Sequence, residues 1–378
     1  MKVLLIPDKF KGSLRAEEVI LALSKGILRM APKTEIFSVL ASDGGDGFLD
    51  TVNNYKDLDK VEVETIDPLG RPIRAYYLYD KTTKTAYIEL AKASGIALLS
   101  SSELNVMETS TKGTGIQIKD AIMKGAKQIV IGLGGSATND GGMGIASVLG
   151  YRFLDSNGNE LRAIGKNLVH ISRIERVEGN FPCQGVSFIA VNDVSNPLFG
   201  AKGAAYVYAK QKGADSAEIK ALDDGLQHLS SIVRNTFGTD DALLPGTGAA
   251  GGTAYGLKAF FNAEFISGIN FLFQMAEVSN LLEETKIDYI ITGEGKIDKQ
   301  TLHGKLIKGV MEIGQEYQIP VVAVCGKLDI DPSLLKNKGL TEVLEIMDSN
   351  YSVQYSMDNA AKLLTEKIYD YFKGEMDS

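Results

Sequence analysis

Residues 128–150 read QIVIGLGGSATNDGGMGIASVLG, and the order of their parts decides the fold class. An apolar run of strand character, Ile129 to Ile131, enters a loop, and an apolar helical stretch follows. Between Ile131 and Gly144 the chain holds six glycines. Glycine gives up more backbone freedom on folding than any other residue, so such a cluster answers a local need. Bare amides at a helix start can surround phosphate oxygens that side chains would block, which makes phosphate or nucleotide binding the leading reading.

Other loop patterns fit less well. A Walker A string, GxxxxGK[ST], is absent from the chain. The nucleophile elbow GxSxG nearly fits around Ser136 but fails at Thr138, where a sharp elbow wants glycine. Gly132, Gly134 and Ala137 match the dinucleotide form GxGxxA, and Asp155 closes the next apolar stretch, YRFLD, about where a ribose-binding acid would stand. Residues 138–142 lengthen the loop before a helix can begin, which counts against it. A dinucleotide site and a purely structural strand-to-helix turn stay open beside phosphate binding.

Working outward, short apolar runs recur at Val3–Ile6, Ile36–Leu40, Ile189–Val191, Tyr289–Ile291 and Val321–Val324, with helical stretches between most of them. That alternation predicts an α/β protein with a largely parallel sheet covered on its faces. Asp215 and Glu218 form a capping box, and Ile219, Leu222, Leu226, Leu229, Val233 and Phe237 keep one apolar face until Gly238 stops the helix. RAYYLY and TAYIEL, joined by DKTTK, read as an antiparallel hairpin and point to a second domain of mixed topology. The expected division is residues 1–64 with 286–378 as a Rossmann-like parallel-sheet domain, and 65–285 as an inserted mixed α/β domain carrying the Gly-rich loop.

At 378 residues the chain can build a core without disulfide staples. A net charge of −8 with no Lys/Arg stripe lacks the footprint of a nucleic-acid binder. Cys183 and Cys325 are too few for a disulfide framework, no apolar run suits a membrane span, and the first residues do not form a signal segment, so a cytoplasmic protein is expected. His170, His228 and His303 show no metal-ligand spacing.

Charged residues cluster after the apolar runs. Asp8, Asp43, Asp46, Asp140, Asp193, Glu294 and Asp298 nearly all follow a strand-like stretch, and open α/β sheets bind ligands at the carboxyl ends of their strands. Such acids suit Mg²⁺ carrying substrate phosphates, although each taken singly is more readily read as a turn or cap residue. Lys9, Lys11, Arg71, Lys112, Lys296 and Lys305 are candidate counter-charges for phosphate.

Taken in order, PDKFKGSLRA, DGGDGF, DPLGRP, IELAKASG, TSTKGTG, GLGGSATNDGGMG, NDVSNPLFG with QKGA, PGTGAAGGTAYG, TGEGKIDKQTLHGK and MDNAAKLL resemble the class I glycerate kinases of bacteria along the whole chain. The family more often has serine, glutamate and arginine where this chain has Lys9, Asp46 and Lys296. The resemblance implies ATP- and Mg²⁺-dependent phosphorylation of D-glycerate, giving 2-phosphoglycerate, on a two-domain α/β scaffold with the active site in the inter-domain cleft. On that basis Asp193, Lys11 and Lys296 are the expected catalytic groups, with Asp193 orienting or deprotonating the hydroxyl. Gly134, Gly135, Ser136, Thr138, Asn139, Gly293, Glu294 and Lys305 are expected at the nucleotide. Arg71, Asn196, Asp43 and Gly44 are expected at glycerate, and Asp140, Asp46 and Asp298 at the metal.

Overall fold

The computed structural model describes residues 1–40, 47–177, 183–239, 241–298, 301, 305–348 and 350–377. Strands β1 (Lys2–Pro7) and β2 (Glu35–Ser38) open the chain. They are followed by β3 (Asp59–Ile66), β4 (Pro72–Asp80), β5 (Thr85–Glu89), β6 (Gln128–Gly132), β7 (Tyr151–Leu154), β8 (Arg173–Arg176), β9 (Ser187–Val191) and β10 (Glu264–Ile266). The last three are β11 (Tyr289–Ile297), β12 (Val321–Leu328) and β13 (Leu340–Glu345).

Two compact units result: Met1–Asp43 with Ile269–Ser378, and Gly44–Gly268. The first holds a fully parallel sheet in the order β13-β12-β11-β1-β2. Helices Ala16–Met30 and Ala360–Asp377 bury Val19, Leu23, Ile27, Leu364, Ile368 and Phe372 against its Val3, Leu5, Ile291, Val322 and Val324. The two helices touch closely at Gly26, where a Cβ would lie 2.4 Å from Thr365 O.

The second unit holds a mixed sheet in the order β10-β9-β6-β5-β4-β3. Its first four strands in that order are parallel, and β5, β4 and β3 alternate in direction. The hairpin expected from RAYYLY and TAYIEL is β4–β5, with Asp80 opposite Thr85 and the Asp80 carboxylate accepting from Thr82 and Thr83 N–H across the turn. The capping-box helix runs Ser216–Phe237, with Asp215 Oδ1 accepting from the amides of Ala217 and Glu218, and Gly238 at φ 75° ending it.

The unit boundaries fall elsewhere than the sequence suggested: the chain changes unit after Asp43 and after Gly268, earlier at both points. β3 pairs with β4 along its whole length, which draws the residues before 65 into the second unit. YRFLD forms β7, which pairs antiparallel with β8 in a separate two-stranded sheet. Among the described residues no helix is long and apolar enough to cross a membrane.

Candidate active site

The parallel strands of the second unit end level with one another. Glu89 lies opposite Gly132, Gly132 opposite Val191, and Val191 opposite Ile266. The Gly-rich loop therefore leaves the sheet between Glu89, the last residue of β5, and Asp193, two residues beyond β9. A carboxyl edge of this kind is where open α/β sheets hold ligands.

Within the loop, Asp140 is fully buried. Its Oδ2 accepts from Thr111 N, Thr111 Oγ1 and Gly144 N at 2.8, 2.8 and 3.1 Å, and its Oδ1 from Gly142 N at 3.1 Å. Burial raises its pKa, and these donors offset part of the rise. Ile145 N is met by Thr111 Oγ1. The short helix Met143–Val148 thus starts on an anion supplied by the chain itself, and its N-terminus has no amides left for a phosphate. Asp140 thus supports the loop and the helix start through four internal donors.

Tight packing accounts for much of the glycine content. Gly141 and Gly142 have φ of 61° and 75°, and a Cβ on Gly144 would stand 2.4 Å from Lys112 N. A second glycine-rich loop backs the first: Ala250, Gly251 and Gly252 all have positive φ, and Gly251 O accepts from Gly141 N at 3.1 Å. A Cβ on Gly251 would lie 2.0 Å from Thr138 O. Thr138 and Asn139, expected at ATP phosphates, are fully buried here, and neither the Thr138 hydroxyl nor the Asn139 amide atoms has a partner among the described residues.

The outer half of the loop differs. Gly135 is exposed with φ 67°, and Gly134 is half-buried. Leu133 N and Ala137 N are bound to Val191 O and Ser94 O, while among the described residues no internal acceptor meets the amides of Gly134, Gly135 and Ser136. Ser136 Oγ accepts from Lys212 Nζ at 2.7 Å, and the same ammonium donates to Thr138 O at 2.7 Å. Lys212 is 3% exposed, and burial pushes its pKa down to about 7, against the pull of Asp140.

Of the remaining candidates in this unit, Asp193 is half-buried, and its Oδ1 accepts from Gly268 N at 2.7 Å. Asn196 donates to Lys202 O at 2.8 Å and accepts from Tyr208 OH at 2.7 Å, so its amide braces the 196–208 segment and is not free for glycerate. Arg71 is held by Asp67 at 2.5 Å and by Glu103, and these carboxylates raise its pKa. Its guanidinium is paired with two acids of its own unit.

The first unit has its own strand ends. Strands are added to one side of β1 as β2 and to the other as β11, β12 and β13, so the strand order switches between the parallel neighbours β1 and β11, and Asp8 N donates to Gly293 O there at 2.8 Å. Gly293 packs close to β12, where a Cβ would meet Val324 O at 2.3 Å. Glu294 accepts from Thr301 Oγ1; burial raises its pKa, the Thr301 bond offsets part of that, and the charges of Asp8 and Asp298 push it further up. Lys296 Nζ lies 3.2 Å from Asp298 and 2.9 Å from Asp329, so it neutralises two carboxylates and is not a free phosphate clamp. Lys11 is exposed on a cavity of about 170 Å³ also lined by Phe10, Ser356 and Met357. Asp43, Gly44, Asp46 and His303 lie outside the described residues, as does the side chain of Lys305.

Among the described residues the expected metal donors Asp140 and Asp298 each have partners within the protein, and no three His, Cys, Asp or Glu side chains converge.

Sequence reasoning missed Glu89 and Lys92 as well as Lys212. Glu89 is 4% exposed, accepts from Leu49 N at 3.1 Å, and faces Lys92 Nζ at 3.5 Å. A carboxylate ending a strand run, as Asp193 does in FIAVND, was the available signal for Glu89. Nothing local marks the burial of Lys212.

Loop amides beside strand-end carboxylates at the carboxyl edge of an α/β sheet suit an anionic ligand, but the fold alone does not fix the activity. The family model described as the glycerate kinase family matches residues 3–373. The chain is 36% identical over 364 residues to a glycerate kinase of Halalkalibacterium halodurans, covering 96% of this chain and 95% of that one. It is also 36% identical over 350 residues to the glycerate 2-kinase of Escherichia coli, covering 92% and 91%. A crystal structure described as a glycerate kinase 2 from Salmonella typhimurium LT2 superposes with a TM-score of 0.81 at 31% identity, covering 100% of both chains. The chain belongs to the glycerate kinase family, and it is a kinase.

Proposed function

We propose that this protein transfers the γ-phosphate of ATP to the 2-hydroxyl of D-glycerate, yielding 2-phosphoglycerate and ADP. The observation that carries this reading is the set of open amides at Gly134, Gly135 and Ser136, which leave the sheet between Glu89 and Asp193. The relative named glycerate 2-kinase supports the choice of carbon.

In this reading the three amides and the Ser136 hydroxyl donate to phosphate oxygens, where charge is spread as the phosphoryl group moves. Asp193 accepts the proton of the 2-hydroxyl as its oxygen bonds to the γ-phosphorus. The bond from phosphorus to the β,γ-bridging oxygen breaks, and ADP leaves with that electron pair. Magnesium bound through the substrate phosphates would supply positive charge at the transferring oxygens.

Phosphorylation at the 3-hydroxyl is the second regiochemistry. An oxidoreductase using GxGxxA is disfavoured, because Asp155 caps its own turn, accepting from Asn157 and Asn159 N–H, and β7 does not lie beside β6. A coupled assay of ADP release with D-glycerate and Mg–ATP tests the activity. Enolase added without mutase then tests the carbon, since only 2-phosphoglycerate is dehydrated directly. ADP release without enolase turnover would move the assignment to the 3-hydroxyl, and no ADP release would end the kinase reading.

A further inference from the structure

We propose that Lys212 is a positioning residue of the nucleotide site: its buried ammonium clamps Ser136 Oγ and Thr138 O, and so holds the open amides of Gly134, Gly135 and Ser136 in the arrangement that receives phosphate. This rests on the assignment of those amides to ATP and extends it to a buried residue that acts through Ser136 and Thr138.

The geometry is specific. Lys212 closes the short helical turn Lys210–Lys212, and Gly213, at φ 98°, redirects the chain immediately afterwards. Gly213 must approach Leu104 O closely, since a Cβ there would lie 2.4 Å away. The lysine stem is therefore fixed at its base by a backbone that tolerates little change. Its tip reaches the loop 76 residues earlier in sequence and makes two bonds of 2.7 Å, one to a side chain and one to a carbonyl. An ammonium taken wholly out of water is costly, and a simple packing role would be met by leucine or methionine.

The direction of the Ser136 bond matters most. An ammonium can only donate, so Ser136 Oγ is the acceptor, and the hydroxyl's own proton is left to point elsewhere. Hydrogen bonds in series polarise one another, so a hydroxyl that accepts from a cation is a better donor. Lys212 thus does two things at once: it pins the loop on both sides of Ala137, and it makes Ser136 a donor toward the side on which Gly135 is exposed. Asp140 is the ionisable group whose charge bears on the ammonium; Ser136 and Thr138 are neutral.

The test is a double-mutant cycle on the full chain with Lys212→Met, Ser136→Ala and the pair, measuring kcat and KM for ATP and for D-glycerate separately. Lys212→Met should raise the KM for ATP by about tenfold or more, as expected for losing a charge-assisted bond, with the KM for glycerate within about twofold. Ser136→Ala should raise the KM for ATP by a smaller factor, and the pair should be no worse than Lys212→Met alone. A KM for ATP within about twofold of wild type in Lys212→Met, or strictly additive effects in the pair, would overturn the proposal while leaving the kinase assignment standing. If Lys212→Met does not fold, the wild-type pH profile decides. The KM for ATP should rise as pH climbs through about 7, where the ammonium loses its proton, and Ser136→Ala should flatten that rise. A profile identical in the two proteins overturns the proposal. Absence of any turnover in the wild type would remove the nucleotide site, and the proposal with it.

Discussion

Asp140 Oδ2 accepts from both the amide and the hydroxyl of Thr111 at 2.8 Å, which ties the loop after β6 to the start of the helix Lys112–Met123. Every donor around this carboxylate belongs to the protein. Asp140→Asn should therefore destabilise the second unit, because an amide NH₂ turned toward either set of N–H groups meets donors only. Chemical denaturation should show a loss of about 1–3 kcal/mol. Unchanged stability would mean that the carboxylate is not the keystone of the loop.

Two glycines in the same loop should give different phenotypes. Gly144→Ala forces a methyl toward Lys112 N at 2.4 Å and should lower the yield of folded protein or its melting temperature. Gly135 is exposed at φ 67°, so Gly135→Ala should cost about 1–2 kcal/mol of local backbone energy and appear chiefly as a raised KM for ATP. Melting curves and steady-state kinetics on both variants separate the two effects.

Asp193→Asn retains an oxygen able to accept from Gly268 N and removes the charge. If Asp193 takes the hydroxyl proton, kcat should fall by about 10²-fold or more with the melting temperature nearly unchanged. A kcat within a few fold of wild type would show that the proton goes elsewhere.

Burial pushes the pKa of Lys212 down to about 7 in the folded protein, against its ordinary 10.5. Between those values the unfolded chain binds the additional proton, so this group makes stability rise as pH climbs from about 7 toward 10.5. Below about 7 both states are protonated and the slope disappears. Denaturant midpoints taken at neutral and alkaline pH should show the wild type gaining on Lys212→Met as pH increases. A constant difference would contradict the depressed pKa.

What could be read in the sequence was what neighbouring residues encode. The helix Ser216–Phe237 is written in its own cap, stripe and terminal glycine, and the hairpin of β4 and β5 in two β-rich runs and a turn. The parallel strands showed as apolar runs because both faces of their sheets are covered. Boundaries and roles depended on distant partners instead. β7 has the composition of any short strand, and only its pairing with β8 removes it from the main sheet. Asp140 reads as a candidate metal ligand, and Thr111, which holds it, stands 29 residues earlier. Asn196 and Arg71 were chosen for correct chemistry, and both are occupied by partners that no local pattern announces.

The loop after β6 and the kinked segment at 250–252 meet backbone to backbone, with Gly251 O receiving Gly141 N and no room for a Cβ between them. With its counter-ion already in place, this pair is assembled before a nucleotide arrives, so binding need not order it, and that entropic cost is absent from the affinity. Evolution can retune the exposed tip at Gly134–Gly135 residue by residue, whereas a change in the interlocked base requires a matching change in a second segment more than a hundred positions away.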